Sequence, residues 1–265
     1  MPFAVADLLA ARGRGAVIFA LKGACDPKAV SRFRHHWISV GQIGKATRLF
    51  RHERCRDLIF IGSLTRPALT DVRLDWTTVR LMRQVVAAFR GGDDHLLSGI
   101  GRILEREGFR MVGVKDVAPD LLMPAGSMTR LAPDSSAADD IARGREVLTA
   151  LGPFDIGQAA VVIDGHVVAV EDIEGTDGLL ARVAQLRAEG RIRARAGRGV
   201  LVKMPKQGQD LRFDLPAVGP QTVAGAAKAQ LAGLAMAAGN TVVADPQALI
   251  EAADKAGLFV TGLGA

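Results

Sequence analysis

Short apolar runs that stop at a glycine or a polar turn, separated by helix-periodic stretches, constrain this chain more than any other feature. AVIFAL (Ala16–Leu21), DLIFIG (Asp57–Gly62) and MVGV (Met111–Val114) are too short for helices and too apolar for surface loops, so they read as buried strands. Helical stretches lie around them: Pro2–Arg12, with Val5, Leu8 and Leu9 at amphipathic spacing, then Lys45–Arg56, Thr77–Phe89 and Leu96–Gly108. This alternation predicts a parallel sheet wrapped on both faces, in a first domain of residues 1–130. Ligands of such sheets sit beyond the carboxyl ends of the strands, which makes Gly62–Arg66 and Gly91–Asp94 ligand-facing loops.

The second half has a different texture. Pro, Asp and Ser cluster in LAPDSSA, which reads as a linker over residues 131–137. A helix over Ala138–Leu151 follows. AAVVIDGHVVAVEDIEG (Ala159–Gly175) is two apolar runs around Asp164-Gly165, a dipeptide that favours a tight hairpin. GVLVKMPK (Gly199–Lys206) reads as a third strand, Val223–Ala238 as a helix of small residues, and NTVVAD and LFVTG as short strands. Residues 138–265 are therefore expected to form a mixed α+β domain.

Composition excludes more than it identifies. The net charge of +6 favours anionic ligands, while ten Phe, two Trp and no Tyr leave no stacking platform for single-stranded nucleic acid. Cys25 and Cys55 cannot build a disulfide framework, and no apolar run approaches the roughly 20 residues of a membrane span, so a cytoplasmic protein is expected. No phosphate-binding loop ending in Gly-Lys-Ser/Thr, no HExxH, no GxSxG elbow and no paired CxxC is present. Gly99-Ile-Gly101 opens like a dinucleotide fingerprint but has Leu104 where the third glycine belongs. The five arginines of RAEGRIRARAGRG (Arg187–Gly199) read as an exposed helix end and turn, not a nucleic-acid surface.

Four polar clusters could carry chemistry. In GSLTRP, Gly62 ends a strand and Arg66 could bind phosphate through two parallel hydrogen bonds, or stand as a surface arginine in a turn. In GGDD, Asp93 and Asp94 either cap the following helix or hydrogen-bond a sugar or a metal-bound water. VEDIEGTD brings Glu171, Asp172 and Glu174 into a turn whose Thr176 and Asp177 either cap a helix or meet phosphate or Mg²⁺. The stretch Leu201–Val223 holds Lys203, Lys206, Gln209, Asp210, Arg212 and Asp214 within twelve residues, broken by Pro205 and followed by Pro216. Its lysines would offset a diphosphate, and a carboxylate there could hold Mg²⁺ or orient a water.

In this order, GSLTRP, GGDDHLL, DIGQAAVV, VEDIEGTDGLL, LVKMPKQGQDLRFDLPAVGPQTV, AGLAMAAGNTVVAD and ADKAGLFVTG resemble the LpxI-type UDP-2,3-diacylglucosamine pyrophosphatases. The resemblance covers nearly the whole chain. It implies hydrolysis of UDP-2,3-diacylglucosamine to UMP and 2,3-diacylglucosamine 1-phosphate in lipid A synthesis, with Mg²⁺, by a homodimer. It also implies a Rossmann-like nucleotide domain, a distinct C-terminal domain, and a ligand held between them. Met1-Pro2 stands where such proteins run from a first strand and glycine-rich loop into Leu-Pro, so the first domain is expected without that strand.

The aspartate of the Asp-Leu-Pro motif, Asp214 here, would be catalytic and bind metal, with Asp177 as the second acid. Gly62, Arg66, Asp93, Asp94, Thr176, Lys203, Lys206 and Gln209 are the expected substrate contacts. The acyl chains need an apolar groove, for which Ala224–Ala238 is one candidate and ordinary helix packing the other explanation. The lipid substrate implies transient contact with the inner-membrane surface. The alternative function is a non-catalytic sugar-nucleotide or anionic-lipid binder.

Overall fold

A computed structural model describes residues 2–62, 73–82, 93–206, 208–213 and 215–264, with 93–96 described by their backbone alone. These residues fall into two compact units: 2–118 with 210–213, and 119–209 with 215–264.

The first unit runs α1 (Pro2–Ala11), β1 (Ile18–Leu21), α2 (Pro27–Val30), β2 (His35–Ile38), α3 (Ile43–His52), β3 (Asp57–Leu58), α4 (Trp76–Arg80), α5 (Asp93–Arg106), β4 (Arg110–Met111) and α6 (Val114–Val117). β1 pairs parallel with β2, and β3 parallel with β4, in the parallel sense the alternation predicts but as two separate pairs among the described residues, not one sheet. Phe50 meets Phe19 and Phe109 edge-on, at 4.5 and 5.5 Å between centroids, in a core with Leu58, Leu104 and Met111.

Local chemistry trims several expected elements. α3 stops at His52, before the expected Arg56, because Arg54 takes a left-handed φ of 56° and turns the chain into β3. In MVGV the ladder ends early: Met111 pairs with Leu58, and the Val112 amide donates to the Leu58 carbonyl at 2.9 Å. The Gly113 amide donates to Asp116 Oδ2 at 2.8 Å and opens α6 at Val114. Gly101 has a packing role: a Cβ there would lie 2.3 Å from the Phe213 ring, so residues 210–213 insert where only glycine leaves room.

The second unit is built on one six-stranded sheet. Its elements are β5 (Gly126–Ser127), α7 (Ser135–Leu151), β6 (Ala159–Ile163), β7 (His166–Val170), α8 (Gly175–Ala188), β8 (Val200–Lys203), β9 (Ala217–Val218), α9 (Pro220–Lys228), β10 (Gly233–Ala237), β11 (Val242–Val243), α10 (Pro246–Ala256) and β12 (Phe259–Leu263). The strand order is β5-β12-β10-β8-β6-β7. β12, β10 and β8 are parallel, whereas β6 runs against both β8 and β7. β9 and β11 form a separate parallel pair.

α7 covers one face, packing Ile141 and Leu148 with Val200, Val202 and Phe259. α8, α9 and α10 cover the other through Leu180, Val223 and Leu249, so both faces are buried and the central strands read as apolar runs. The Asp164-Gly165 turn has φ of 50° and 77°, the hairpin geometry the dipeptide favours, and Asp140 of α7 accepts from both amides. The expected helix Val223–Ala238 is instead α9, a turn through Gln230 (φ 54°), and β10, all five of whose residues are buried. The candidate acyl groove at Ala224–Ala238 is thus largely interior packing. β5 pairs with β12, so the chain has already entered this sheet before the Leu131–Ala137 segment read as a linker. No helix among the described residues is long and apolar enough to cross a membrane.

The first unit also carries a buried carboxylate with a defined pH signature. Glu53, its side chain 3% exposed, contacts His36 Nε2 at 2.7 Å and Arg34 at 2.6 Å. The His36 hydrogen bond outweighs the upward push of burial and, with the Arg34 charge, holds the carboxyl below its ordinary 4.5. A carboxylate depressed in the fold stabilises it above its unfolded value, and that stabilisation disappears as pH falls through the folded value. The unfolding temperature of the first unit is therefore expected to drop as pH falls below the ordinary 4.5, and Glu53→Gln to flatten that limb. Calorimetric scans across this range test it; parallel limbs for the two proteins would remove Glu53 from the account.

Candidate functional site

Strand direction fixes where this site lies. β7, β8, β10 and β12 point the same way, so their carboxyl ends share one edge of the sheet, the edge at which open α/β sheets take ligands. Across that edge the register places Lys203 opposite Ala159 on one side, while the Glu171 amide donates to the Ala159 carbonyl at 2.8 Å on the other. The two residues therefore stand two strand spacings apart, about 10 Å, over the small side chain of Ala159.

Thr176, in the first turn of α8, fills the gap. Its hydroxyl donates to Glu171 Oε1 at 2.7 Å and accepts from Lys203 Nζ at 2.7 Å. One hydroxyl hydrogen permits only this polarity: ammonium to hydroxyl, hydroxyl to carboxylate. Glu171 is 8% exposed and Lys203 7%, and these hydrogen bonds help to offset the desolvation of both charges. Of the two readings for the Gly-Thr-Asp turn, helix capping is not the one adopted. The cap position, Glu174, makes no side-chain cap bond, and Thr176 faces the lysine.

A second lysine stands nearby in sequence and is anchored differently. Lys206 Nζ pairs with Asp155 Oδ1 at 2.5 Å and also donates to the Asp155 carbonyl at 3.0 Å. Gln209 Oε1 accepts from the Lys206 amide at 3.0 Å, closing the turn. The loop carrying Asp155 is tied back to the buried carboxylate, because the Gln158 amide donates to Glu171 Oε2 at 2.8 Å. Asp177 is exposed and accepts from Gln221 Nε2 at 3.2 Å, linking the first turns of α8 and α9.

The second unit thus brings Thr176 and Lys203 into contact and Lys206 and Gln209 into contact, with Asp177 one residue beyond Thr176. Gly62, at φ 117°, belongs to the first unit, as does α5, which begins at Asp93; the Asp93 and Asp94 side chains lie outside the described residues. Arg66 and Asp214 also lie outside them. The residues just before Asp214 are anchored in the first unit. Phe213 is 5% exposed beside Phe60, and Arg212 bonds Asp210 and Glu105, both contacts raising its already high pKa.

Sequence reasoning missed Asp155, Gln158 and Gln221, the partners that hold the expected residues. Their signal was present in DIGQ and PQTV, but a partner across a sheet carries no spacing of its own. For Mg²⁺, no three His, Cys, Asp or Glu side chains converge as a metal-binding group among the described residues. Asp177 suits a cation that keeps most of its waters and takes one or two carboxylates plus substrate phosphate oxygens. Exposed apolar side chains flank the same edge: Phe154 and Ile156 before β6, and Ile173, fully exposed, after β7. An apolar cavity of about 460 Å³, lined by Leu122, Met123, Met128 and Val243, reaches Gly239 beyond the end of β10.

The chain belongs to the LpxI family: residues 1–121 match the LpxI N-terminal domain and residues 124–261 the LpxI C-terminal domain. Among curated relatives, the UDP-2,3-diacylglucosamine pyrophosphatase LpxI of Caulobacter vibrioides is 37% identical over 263 residues, covering 99% of this chain and 94% of that protein.

Gly157 offers a test of how rigidly this edge is built. It has φ 49°, and a Cβ there would lie 2.1 Å from the Glu171 carbonyl oxygen, whereas Gly165 at φ 77° faces open space. Gly157→Ala is expected to cost about 2–4 kcal/mol and Gly165→Ala about 1 kcal/mol. Equal shifts of the unfolding midpoint for the two variants would show that the 155–158 loop is not held against Glu171.

Proposed function

We propose that this protein hydrolyses the pyrophosphate bond of UDP-2,3-diacylglucosamine to UMP and 2,3-diacylglucosamine 1-phosphate. The observation that carries the reading is the likeness to the Caulobacter pyrophosphatase over 99% of the chain. The pair of lysines at the carboxyl edge of the second sheet supports it, since a diphosphate needs fixed cations where negative charge develops.

In this mechanism Lys203, oriented by Thr176, and Lys206 offset charge on the phosphates, with Arg66 as a further cation from the first unit. Gly62, Asp93, Asp94 and Gln209 contact the rest of the substrate. Asp214 positions the attacking water against the α-phosphate. Asp177 and Asp214 would hold Mg²⁺, which would supply Lewis-acid stabilisation of developing phosphoryl charge. Phe154, Ile156 and Ile173, with the cavity beside Met123, offer apolar contact for acyl chains. The protein acts as a homodimer in the cytoplasm, touching the inner-membrane surface when it takes its lipid substrate.

The test is UMP release from UDP-2,3-diacylglucosamine by the full chain, with Mg²⁺ and with EDTA. Release only with the metal is expected; release undiminished in EDTA would overturn the Mg²⁺ assignment, and none in either would leave the binding-protein reading. Asp214→Ala is expected to lower kcat by about 10³-fold while retaining substrate, and unchanged turnover would remove Asp214 from catalysis. Lys203→Met is expected to raise KM by about tenfold or more, the loss of at least one charge-assisted contact.

A further inference from the structure

We infer that Glu171 is a positioning residue that sets the placement of both site lysines; the inference rests on the phosphate-binding reading of this edge. One carboxylate serves two connections. Through Oε1 it holds the Thr176 hydroxyl, which in turn holds the Lys203 ammonium. Through Oε2 it holds the Gln158 amide, and thereby the loop whose Asp155 pairs with Lys206. Gly157 lets this loop lie close against the Glu171 carbonyl oxygen.

The donor count explains why the residue must be an acid. Two donors, a hydroxyl and an amide, point at the two side-chain oxygens, and a carboxylate accepts from both. Glutamine has one oxygen and an NH₂. Facing Thr176 with its oxygen, it opposes the Gln158 amide with a donor. Facing Gln158 with its oxygen, it donates to the Thr176 hydroxyl, whose hydrogen then turns toward the ammonium and finds no acceptor there. Either orientation breaks one connection. Glu171→Gln therefore removes the alignment of one lysine while changing the side-chain volume very little.

Thr176 carries the same logic. Serine preserves the hydroxyl, and valine removes it at similar volume. Glu171→Gln and Thr176→Val are expected to raise KM for UDP-2,3-diacylglucosamine by about tenfold, with a smaller change in kcat, and Thr176→Ser to raise it less than Thr176→Val. Because the residues act in series, the double variant is expected to be little worse than either single one. A residue that only stabilised the fold would lower the unfolding temperature and the active fraction while leaving KM unmoved.

A readout independent of turnover separates this inference from the proposed function. In the ¹⁵N-lysine-labelled full chain, the Lys203 ζ-ammonium signal is identified by its loss in Lys203→Met. Exchange of that ammonium with solvent is expected to be faster in Thr176→Val than in the parent and in Thr176→Ser. An exchange rate in Thr176→Val equal to the parent's, or KM unchanged in both Glu171→Gln and Thr176→Val, would overturn the positioning role. Absence of UMP release by the parent, with the ammonium responding as described, would overturn the proposed reaction and leave the relay standing. Should Glu171→Gln fail to fold, the two threonine variants decide the question.

Discussion

A lysine ammonium in a protein interior needs a partner, and the organisation of the second unit's carboxyl edge follows from how Lys203 finds one. The sheet register sets Lys203 and Glu171 on either side of Ala159, too far apart to touch. The first turn of α8 supplies the hydroxyl that bridges them. The small Ala159 side chain, the Gly157 crossing and the unused cap position at Glu174 are all consequences of bringing that turn over the strand ends. The hydroxyl bond fixes the direction of one of the ammonium's donors.

The polar, proline-broken stretch after β8 answers to two cores at once. Lys206 and Gln209 close a turn in the second unit, and a few residues later Phe213 is buried in the first, against Gly101 and Phe60. Arg212 holds that insertion with charge-assisted bonds to Asp210 and Glu105. A segment with these duties cannot follow either helical or strand periodicity, and its mixed charges are anchors as much as a solvated surface.

Periodicity and turn chemistry made much of the fold legible. Asp164-Gly165 announced its hairpin because few dipeptides accept two positive φ angles in succession. The GVLVK run announced a strand because its neighbours on both faces are apolar, whereas AVIFAL, expected to be buried, is buried at Ala20 and only half-buried over the rest of β1. Val223–Ala238 misled, since alanine and glycine suit a helix and also fit the interior of a tightly covered strand, and only the left-handed turn at Gln230 separates α9 from β10. The candidate site was legible in its residue types, Thr176, Lys203, Lys206 and Gln209 among them. Its partners were not, because Asp155 and Gln158 reach those residues across strands and not along the chain.

What the sequence by itself determined is local: short buried strands, the hairpin, the glycine-framed polar clusters, and the family resemblance those clusters carry in series. Propensity, side-chain size and turn preference act over a few residues, so they are readable in order along the chain. The tertiary structure alone decided which acid pairs with which base. It assigned Gly101 to the packing of Phe213 and turned Glu171 from one of three neighbouring acids into the buried hub of the lysine relay. Sheet register and helix placement set those distances, and both depend on packing between segments far apart in sequence.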